Sequence, residues 1–219
     1  RPKDVVSGDF FWFDVVEDKV ILAVVDCTGH GVSGAFMSIL GNNLLGQSVV
    51  KQNDMSASEI LDRLNKKVIE QLKKGSGNSA FQEGMDMALC VLDIENRSLQ
   101  YAGAKNPLYM LRAGKLTEIK PNQFSIGFTY DGKRKLFNNH TISIERDDMF
   151  YVFSDGYADQ IGGADSEKFM YPRFRSLLKN ISSESMENQK KLLNENFESW
   201  KGDGEQLDDI LIVGFKVWK

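Results

Sequence analysis

Five aspartates lie directly before or after apolar stretches of the chain, and carboxylates in such positions can assemble into a metal site. They are Asp9, Asp26, Asp155, Asp208 and Asp209. Several carboxylates gathered at one edge of a sheet repel one another strongly, and bound cations relieve that repulsion. Because all-oxygen ligation selects hard ions, the pattern indicates Mg²⁺ or Mn²⁺.

The first two of these aspartates are predicted to lie side by side in a hairpin. Residues 10–16 are aromatic and β-branched, residues 20–25 resume the apolar pattern, and the polar segment 17–19 separates them. This pattern is typical of two antiparallel strands joined by a tight turn. Since the turn lies midway between Asp9 and Asp26, both should emerge at the open end of the hairpin.

The other three aspartates flank two strands from later in the chain. Asp155 follows the apolar strand 149–153, whereas Asp208 and Asp209 precede the last apolar strand, 210–217. If these strands are antiparallel neighbours, an acid at the exit of one and an acid at the entry of the other share an edge. Taken singly, each Asp is better interpreted as a turn former or helix cap, and only the joint pattern favours a shared site.

Other catalytic chemistries find little support in the sequence. Cys27 and Cys90 lie in apolar runs and are expected to be buried, reduced thiols, which favours a reducing compartment. No Cys/His cluster has zinc-ligand spacing, and the chain has neither a P-loop nor a Gly-x-Ser-x-Gly elbow. His140 is expected to be structural, whereas His30 is either a general acid or a turn residue, with the turn role preferred.

Composition indicates a globular domain that does not bind nucleic acid. Of 219 residues, 42% are hydrophobic and 26% are charged, and the formal net charge is −4. This balance supports a core, and the mildly acidic chain lacks the basic runs that nucleic acid or an anionic membrane would attract. Without a transmembrane run or signal peptide, a cytoplasmic location is expected. The opening at Arg1, without Met, favours a domain taken from a longer protein.

The order of predicted elements favours an α+β fold in one domain spanning 1–219. The predicted helices are 33–50, 56–74, 169–180 and 185–200, and the strands between them are 85–92, 99–104, 108–112, 116–119, 135–144 and 149–153. Hairpin-like spacing favours antiparallel sheets covered by helices. Ser33 is predicted to cap the first helix, and Ser56 and Glu59 to form a capping box at the second.

Four short segments, in order, resemble the metal-dependent PPM (type 2C) serine/threonine protein phosphatases. The segments are 5–11, 25–31, 153–156 and 208–211, and the resemblance covers nearly the whole chain. It is greatest to the bacterial branch typified by the sporulation stage II protein E and the RsbU regulators. Residues 102–108 also resemble the Gly-His-Asn-Pro segment of that branch, with Lys105 in place of the His.

The resemblance implies an αββα four-layer sandwich, with two central antiparallel β-sheets flanked by helices, and a site for two divalent cations, Mn²⁺ or Mg²⁺. The implied ligands are Asp26 as a bridge between both metals, the backbone carbonyl of Cys27 beside it, Asp9 for the second metal, and Asp155 and Asp208 for the first. Asp209 replaces Asp208 if the register shifts by one. A hydroxide bridging the two ions would be the nucleophile.

The identity of the general acid is less well defined by the resemblance. A metal-bound water or His30 would protonate the leaving seryl or threonyl oxygen. Eukaryotic type 2C enzymes have a phosphate-binding Arg near the N-terminus and a His two residues after the bridging Asp. Here Asp4 and Thr28 occupy those places. The bacterial branch often lacks both residues, so these departures are compatible with activity.

In this branch the substrate is typically a phosphorylated anti-anti-sigma-factor-like protein, and the phosphatase is the output domain of a sensor or response regulator. The resemblance therefore implies such a substrate and an upstream sensor or receiver domain in the same chain, and it leaves a homodimer open. The predicted helices 33–50 and 56–74 resemble the pair through which the branch is switched on. Two alternatives remain: a catalytically silent phosphatase-like module for binding or dimerisation, and a metal hydrolase acting on small phosphate esters.

Overall fold

A computed structural model of the chain describes residues 1–29, 31–49, 55–76, 83–129 and 134–217. Its helices are α1 (Gly31–Ser48), α2 (Ala57–Ser76), α3 (Gly156–Asp159), α4 (Met170–Ile181) and α5 (Met186–Lys201). Its strands are β1 (Phe10–Val16), β2 (Lys19–Cys27), β3 (Met85–Asp93), β4 (Ser98–Ala104), β5 (Leu108–Arg112), β6 (Lys115–Ile119), β7 (His140–Ser143), β8 (Met149–Phe153), β9 (Ile161–Gly162), β10 (Glu167–Lys168) and β11 (Ile212–Lys216).

Two antiparallel sheets form the centre of the molecule. The first has the strand order β1-β2-β3-β4-β7, and the second has the order β11-β8-β5-β6. Helices α1 and α2 cover the first sheet, whereas α4 and α5 cover the second. The predicted αββα four-layer sandwich is therefore confirmed.

The alternation of side chains within the strands produces these layers. In β2, Val24 packs between the sheets, while Ala23 and Val25 pack against the α1 and α2 side. In β8, Val152 also packs between the sheets, whereas Phe153 faces α4 and α5. Because both faces of each strand are buried, these strands are apolar throughout instead of alternating with polar residues.

Most predicted elements are confirmed, and the differences occur at their ends. The capping box forms, since the Ser56 N–H donates to Glu59 Oε2 over 2.8 Å and the Glu59 N–H donates to Ser56 Oγ over 3.3 Å. The Ser33 cap is wrong, because α1 already begins at Gly31. The predicted strand 135–144 is paired only over His140–Ser143.

The hairpin β1–β2 has the predicted register, with Val16 opposite Lys19 and Phe10 opposite Val25. Strands β8 and β11 are antiparallel neighbours, which is the arrangement that brings Asp155 and Asp208 to the same edge of the sheet. The single helical turn α3 and the hairpin β9–β10 have no counterpart among the predicted elements. Elements of two to four residues are too short to show a periodic pattern.

Among the described helices, none is both long enough and apolar enough to cross a lipid bilayer.

Candidate metal centre

Three acids lie next to one another where the first sheet ends. Asp26 is paired directly with Asp86 across β2 and β3. The pairing of Phe10 with Val25 places Asp9 opposite Asp26 at the open end of the hairpin. Directly opposed residues in antiparallel strands point to the same face of the sheet. Asp26 lies on the same face of β2 as Val24, which packs between the two sheets. The row of carboxylates therefore lies at one end of the space between the sheets.

The second sheet brings two further aspartates to the same end of the molecule. Asp155 follows β8 directly and precedes α3. Strand β11 approaches beside it, because the Ser154 N–H donates to the Leu211 carbonyl and the Leu211 N–H donates to Ser154 Oγ, both over 2.9 Å. Asp208 lies just before this contact, and its charge acts on Asp9, Asp26 and Asp155.

The electrostatics of the site show that the acids from both sheets converge. Burial, and then the charges of Asp9, Asp155, Asp86 and Asp208, together raise the pKa of Asp26 to about 9. Burial likewise raises the pKa of Asp9 to about 7, although a hydrogen bond from the Ser154 hydroxyl opposes the rise. The pKa of Asp155 is raised to about 6, mainly by burial and then by Asp159 and Asp208. Without cations, each of these carboxyl groups therefore keeps its proton to a higher pH than an ordinary aspartate, whose pKa is 3.8.

Asp209 has a different environment from Asp208. Its side chain is 3% exposed, and its two carboxylate oxygens accept hydrogen bonds from the backbone N–H groups of Lys3 and Gly8, each over 2.7 Å. These bonds fix the segment that leads into Asp9. Asp208 is exposed, so its carboxylate is the more accessible of the two for a metal.

Close backbone contacts, which only glycine permits, hold the corner together. A Cβ on Gly8 would lie 2.7 Å from the carbonyl oxygen of Gly29, and one on Gly156 would collide with the carbonyl oxygen of Asp209. Gly8 precedes Asp9, and Gly156 follows Asp155. The glycines beside the acids therefore allow close approach within each sheet: Gly8 contacts the segment that follows β2, and Gly156 contacts the segment that precedes β11.

Cys27 can offer only its backbone to the site. Its side chain belongs to the cluster beneath α1 and α2, on the opposite face from Asp26, and burial raises the pKa of the thiol. Thr28 next to it is tied to Gly84, because its N–H and hydroxyl both donate to the Gly84 carbonyl. The predicted general acid, His30, lies outside the described residues.

These residues fit a divalent-cation site by the chemistry of their donors. They supply carboxylate oxygens, and Asp9 Oδ2 is buried without a hydrogen-bond partner among the described residues. In the described part of the chain, no three Asp, Glu, His or Cys side chains already converge as ligands of one ion. Mg²⁺ does not require three such ligands, because it binds through one or two carboxylates and retains several waters.

Asp86 is not among the predicted site residues, although it is the one acid inside the apolar run 85–92. Burial raises its pKa, and hydrogen bonds from Ser125 and Lys105 oppose that rise. Its significance depends on the β2–β3 register, which no local pattern encodes. Ser154, which bonds to Asp9, was missed for a similar reason.

The four-layer fold and the gathered acids define a domain of the PP2C phosphatase class, and comparison with known proteins supports that class. The profile of the family described as Stage II sporulation protein E (SpoIIE) matches residues 16–218. The chain therefore belongs to the SpoIIE family.

Individual relatives agree with this assignment. The chain is 22% identical to phosphoserine phosphatase RsbU of Bacillus subtilis (strain 168) over 162 residues, which are 72% of this chain and 44% of RsbU. It thus spans less than half the length of that relative. The structure is similar to the SiaA-PP2C domain of Pseudomonas aeruginosa, with a TM-score of 0.88, 29% identity, and 98% and 82% of the two chains covered. It also shares the fold of RsbX solved in complex with magnesium, with a TM-score of 0.65, 17% identity, and 95% and 86% covered.

The contrast between Asp209 and Asp208 leads to a test of stability. In metal-free protein, Asp209→Ala leaves two backbone N–H groups without acceptors and should lower the free energy of unfolding by about 2–4 kcal/mol. Asp208→Ala should change it by less than about 1 kcal/mol, because this side chain is exposed. Urea unfolding in the presence of chelator measures both values. A larger loss for Asp208→Ala than for Asp209→Ala would contradict the assignment.

The raised pKa values lead to an unusual pH dependence for the metal-free protein. Folded-state pKa values of about 6, 7 and 9 exceed the ordinary value of 3.8, so the folded state binds these protons more tightly. Their stabilising contribution is full below pH 3.8 and is lost as the pH rises through the folded values. At pH 8, metal-free Asp26→Asn should therefore be more stable than wild type by about 1–3 kcal/mol.

Thermal unfolding of both proteins between pH 5 and pH 9, with and without Mn²⁺, tests this expectation. The advantage of Asp26→Asn should shrink toward pH 5. Saturating Mn²⁺ should stabilise the wild type and reverse the order, since only the intact site gains binding energy. If the variant is less stable than metal-free wild type at pH 8, the carboxylates do not repel one another as described.

Proposed function

We propose that this domain hydrolyses phosphoserine or phosphothreonine esters on a protein substrate, with the help of two divalent cations, Mn²⁺ or Mg²⁺. The observation that carries the proposal is the convergence of acids from both sheets, at Asp9, Asp26, Asp155 and Asp208, on one end of the space between the sheets. A partly buried cluster of this kind costs stability, and cations of the proposed class would remove that cost.

In this proposal the carboxylates divide the ligand roles by position. Asp26 lies between Asp9 and Asp86 in the row across the sheet. The charge of Asp155, from the other sheet, raises the pKa of Asp26. This position supports the proposed role of Asp26 as a ligand of both ions. Asp9 would hold one ion, Asp155 and Asp208 the other, and the Cys27 carbonyl would complete the set. Bound cations of this kind supply an activated water and neutralise phosphoryl charge.

Other residues would keep these ligands in place. Asp209 holds the backbone N–H of Gly8 and thereby fixes the approach to Asp9. The Ser154 hydroxyl bonds to Asp9 and also accepts a hydrogen bond from the Leu211 N–H, so it links the first sheet to the second. Proton donation to the leaving oxygen is assigned to a water on the ions or to His30.

The proposed substrate is a phosphorylated regulator similar to the anti-anti-sigma factors. The proposal includes an output role for the domain, over residues 1–219, under an upstream sensor or receiver domain. The outer face of α1 supports such a contact, because Val32, Phe36 and Ile39 are exposed there by 84%, 68% and 71%. A second copy of the chain would fit the same face. Buried, unpaired Cys27 and Cys90 agree with the proposed cytoplasmic location.

Two alternatives differ in what they expect of the site. A catalytically silent binding module does not require metal ligands. However, every predicted ligand residue is present, and Asp9 Oδ2 has no hydrogen-bond partner among the described residues. A hydrolase of small phosphate esters would use the same site and differs only in substrate. The first alternative predicts no turnover, and the second predicts that a small ester is the better substrate.

A phosphate-release assay tests the proposed function. With Mn²⁺, the domain should dephosphorylate a phosphoseryl anti-anti-sigma-factor-like protein with a higher kcat/KM than p-nitrophenyl phosphate. Chelator should abolish the activity, and Asp26→Asn should lower kcat by roughly a thousandfold or more, because the residue would serve both ions. Asp18→Asn, in the turn at the other end of the same hairpin, is the matched control and should retain wild-type activity.

Absence of Mn²⁺-dependent turnover on any phosphoprotein would favour the silent module. Full activity of Asp26→Asn would exclude the proposed site altogether. A clear preference for p-nitrophenyl phosphate would favour the small-ester hydrolase.

A further inference from the structure

The row of acids across the first sheet ends in a lysine. Met87 pairs with Ala104 across β3 and β4, so the next position along places Lys105 opposite Asp86. Lys105 Nζ lies 3.5 Å from Asp86 Oδ2. Across four neighbouring strands, the end of the sheet therefore presents Asp9, Asp26, Asp86 and Lys105 in sequence.

The backbone holds Lys105 in a defined place. Its φ is +58°, in the left-handed region that residues with a side chain seldom adopt. The Lys105 N–H donates to the carbonyl of Asn122 over 2.8 Å, and the Asn106 N–H donates to the carbonyl of Ala104 over 2.7 Å. These two backbone hydrogen bonds fix the point at which the Lys105 side chain leaves the backbone, and the contact with Asp86 places its ammonium group beside the row.

The two partners of the ion pair differ in their exposure to solvent. The Lys105 side chain is 49% exposed, whereas that of Asp86 is 26% exposed. The ammonium group is thus reachable from solvent while it remains attached to the edge of the acidic cluster. Because water competes for the half-exposed ammonium group, which lies 3.5 Å from Asp86, the lysine can exchange this pair for a ligand.

The chemistry of the substrate calls for a cation at this position. A phosphate monoester that enters a site lined by carboxylates is repelled by every carboxylate that no metal has neutralised. We propose that Lys105 binds the non-bridging oxygens of the substrate phosphoryl group, exchanging its ion pair with Asp86 for the phosphate. The proposal rests on the proposed phosphatase function and adds a residue of this chain that recognises the substrate. Lysine binds phosphate as a point charge, so no bidentate geometry is required.

The competing explanation is that Lys105 only neutralises Asp86. Four variants of the full chain separate the two: Lys105→Met, Lys105→Arg, the double variant Lys105→Met/Asp86→Asn, and the control Lys66→Met. Lys66 forms an exposed pair with Glu70 on α2 at 4.0 Å, so its loss removes the same charge elsewhere on the surface. Calorimetric titration of the Mn²⁺-loaded proteins with inorganic phosphate gives the affinity, and titration with Mn²⁺ alone confirms metal loading.

Direct binding predicts that Lys105→Met weakens phosphate affinity by roughly tenfold, the loss of one charge-assisted hydrogen bond, and raises KM for the phosphoprotein more than it lowers kcat. Lys105→Arg should restore most of the affinity, Lys66→Met should change nothing, and Mn²⁺ affinity should be equal in all single lysine variants. The double variant should remain as weak as Lys105→Met.

Recovery of wild-type phosphate affinity in the double variant would overturn the proposal, because the lysine would then act only through Asp86. Unchanged phosphate affinity in Lys105→Met would overturn it as well. If the wild type releases no phosphate from any phosphoprotein, the proposed function fails, while the titrations with inorganic phosphate still decide the role of Lys105.

Discussion

The crowding of partly buried carboxylates at one end of the space between the sheets is the constraint on which this structure depends. Asp9, Asp26 and Asp155 are held at the end of the space between two sheets, where burial and then the charges of neighbouring aspartates raise their pKa values to about 7, 9 and 6. The apolar packing of the sandwich must exceed this cost for the metal-free chain to fold. A site that destabilises its own protein is common where function requires an arrangement that folding alone would avoid.

The means of holding the acids are mostly backbone features. The two strands of the hairpin β1–β2 carry two acids to one place, and Asp209 uses both of its oxygens to fix the segment before Asp9. Gly8 and Gly156 allow neighbouring chain segments within each sheet to approach closely beside the acids. None of these features takes part in the proposed reaction, but each one determines where a carboxylate lies. The Asp86–Lys105 pair ends the row, and it gives the site a cation at its edge.

Local patterns in the sequence predicted the parts of the site that are close in the chain or lie at the ends of strong apolar runs. The hairpin register followed from the polar turn at 17–19, and the exit of β8 at Asp155 followed from five consecutive apolar residues. Asp86 and Lys105 were not recognised together, because their meeting depends on how β3 pairs with β4. The difference between Asp208 and Asp209 also needed the fold, since only contacts with the distant Lys3 and Gly8 distinguish them.

A crystal structure of the Mn²⁺-loaded domain, with anomalous scattering recorded at the manganese edge, tests the central claim most directly. The account predicts two anomalous peaks between the ends of the sheets, with Asp26 in contact with both and with Asp9 and Asp155 on opposite sides. Peaks elsewhere on the molecule, or a fully loaded crystal with no peak beside Asp26, would contradict it.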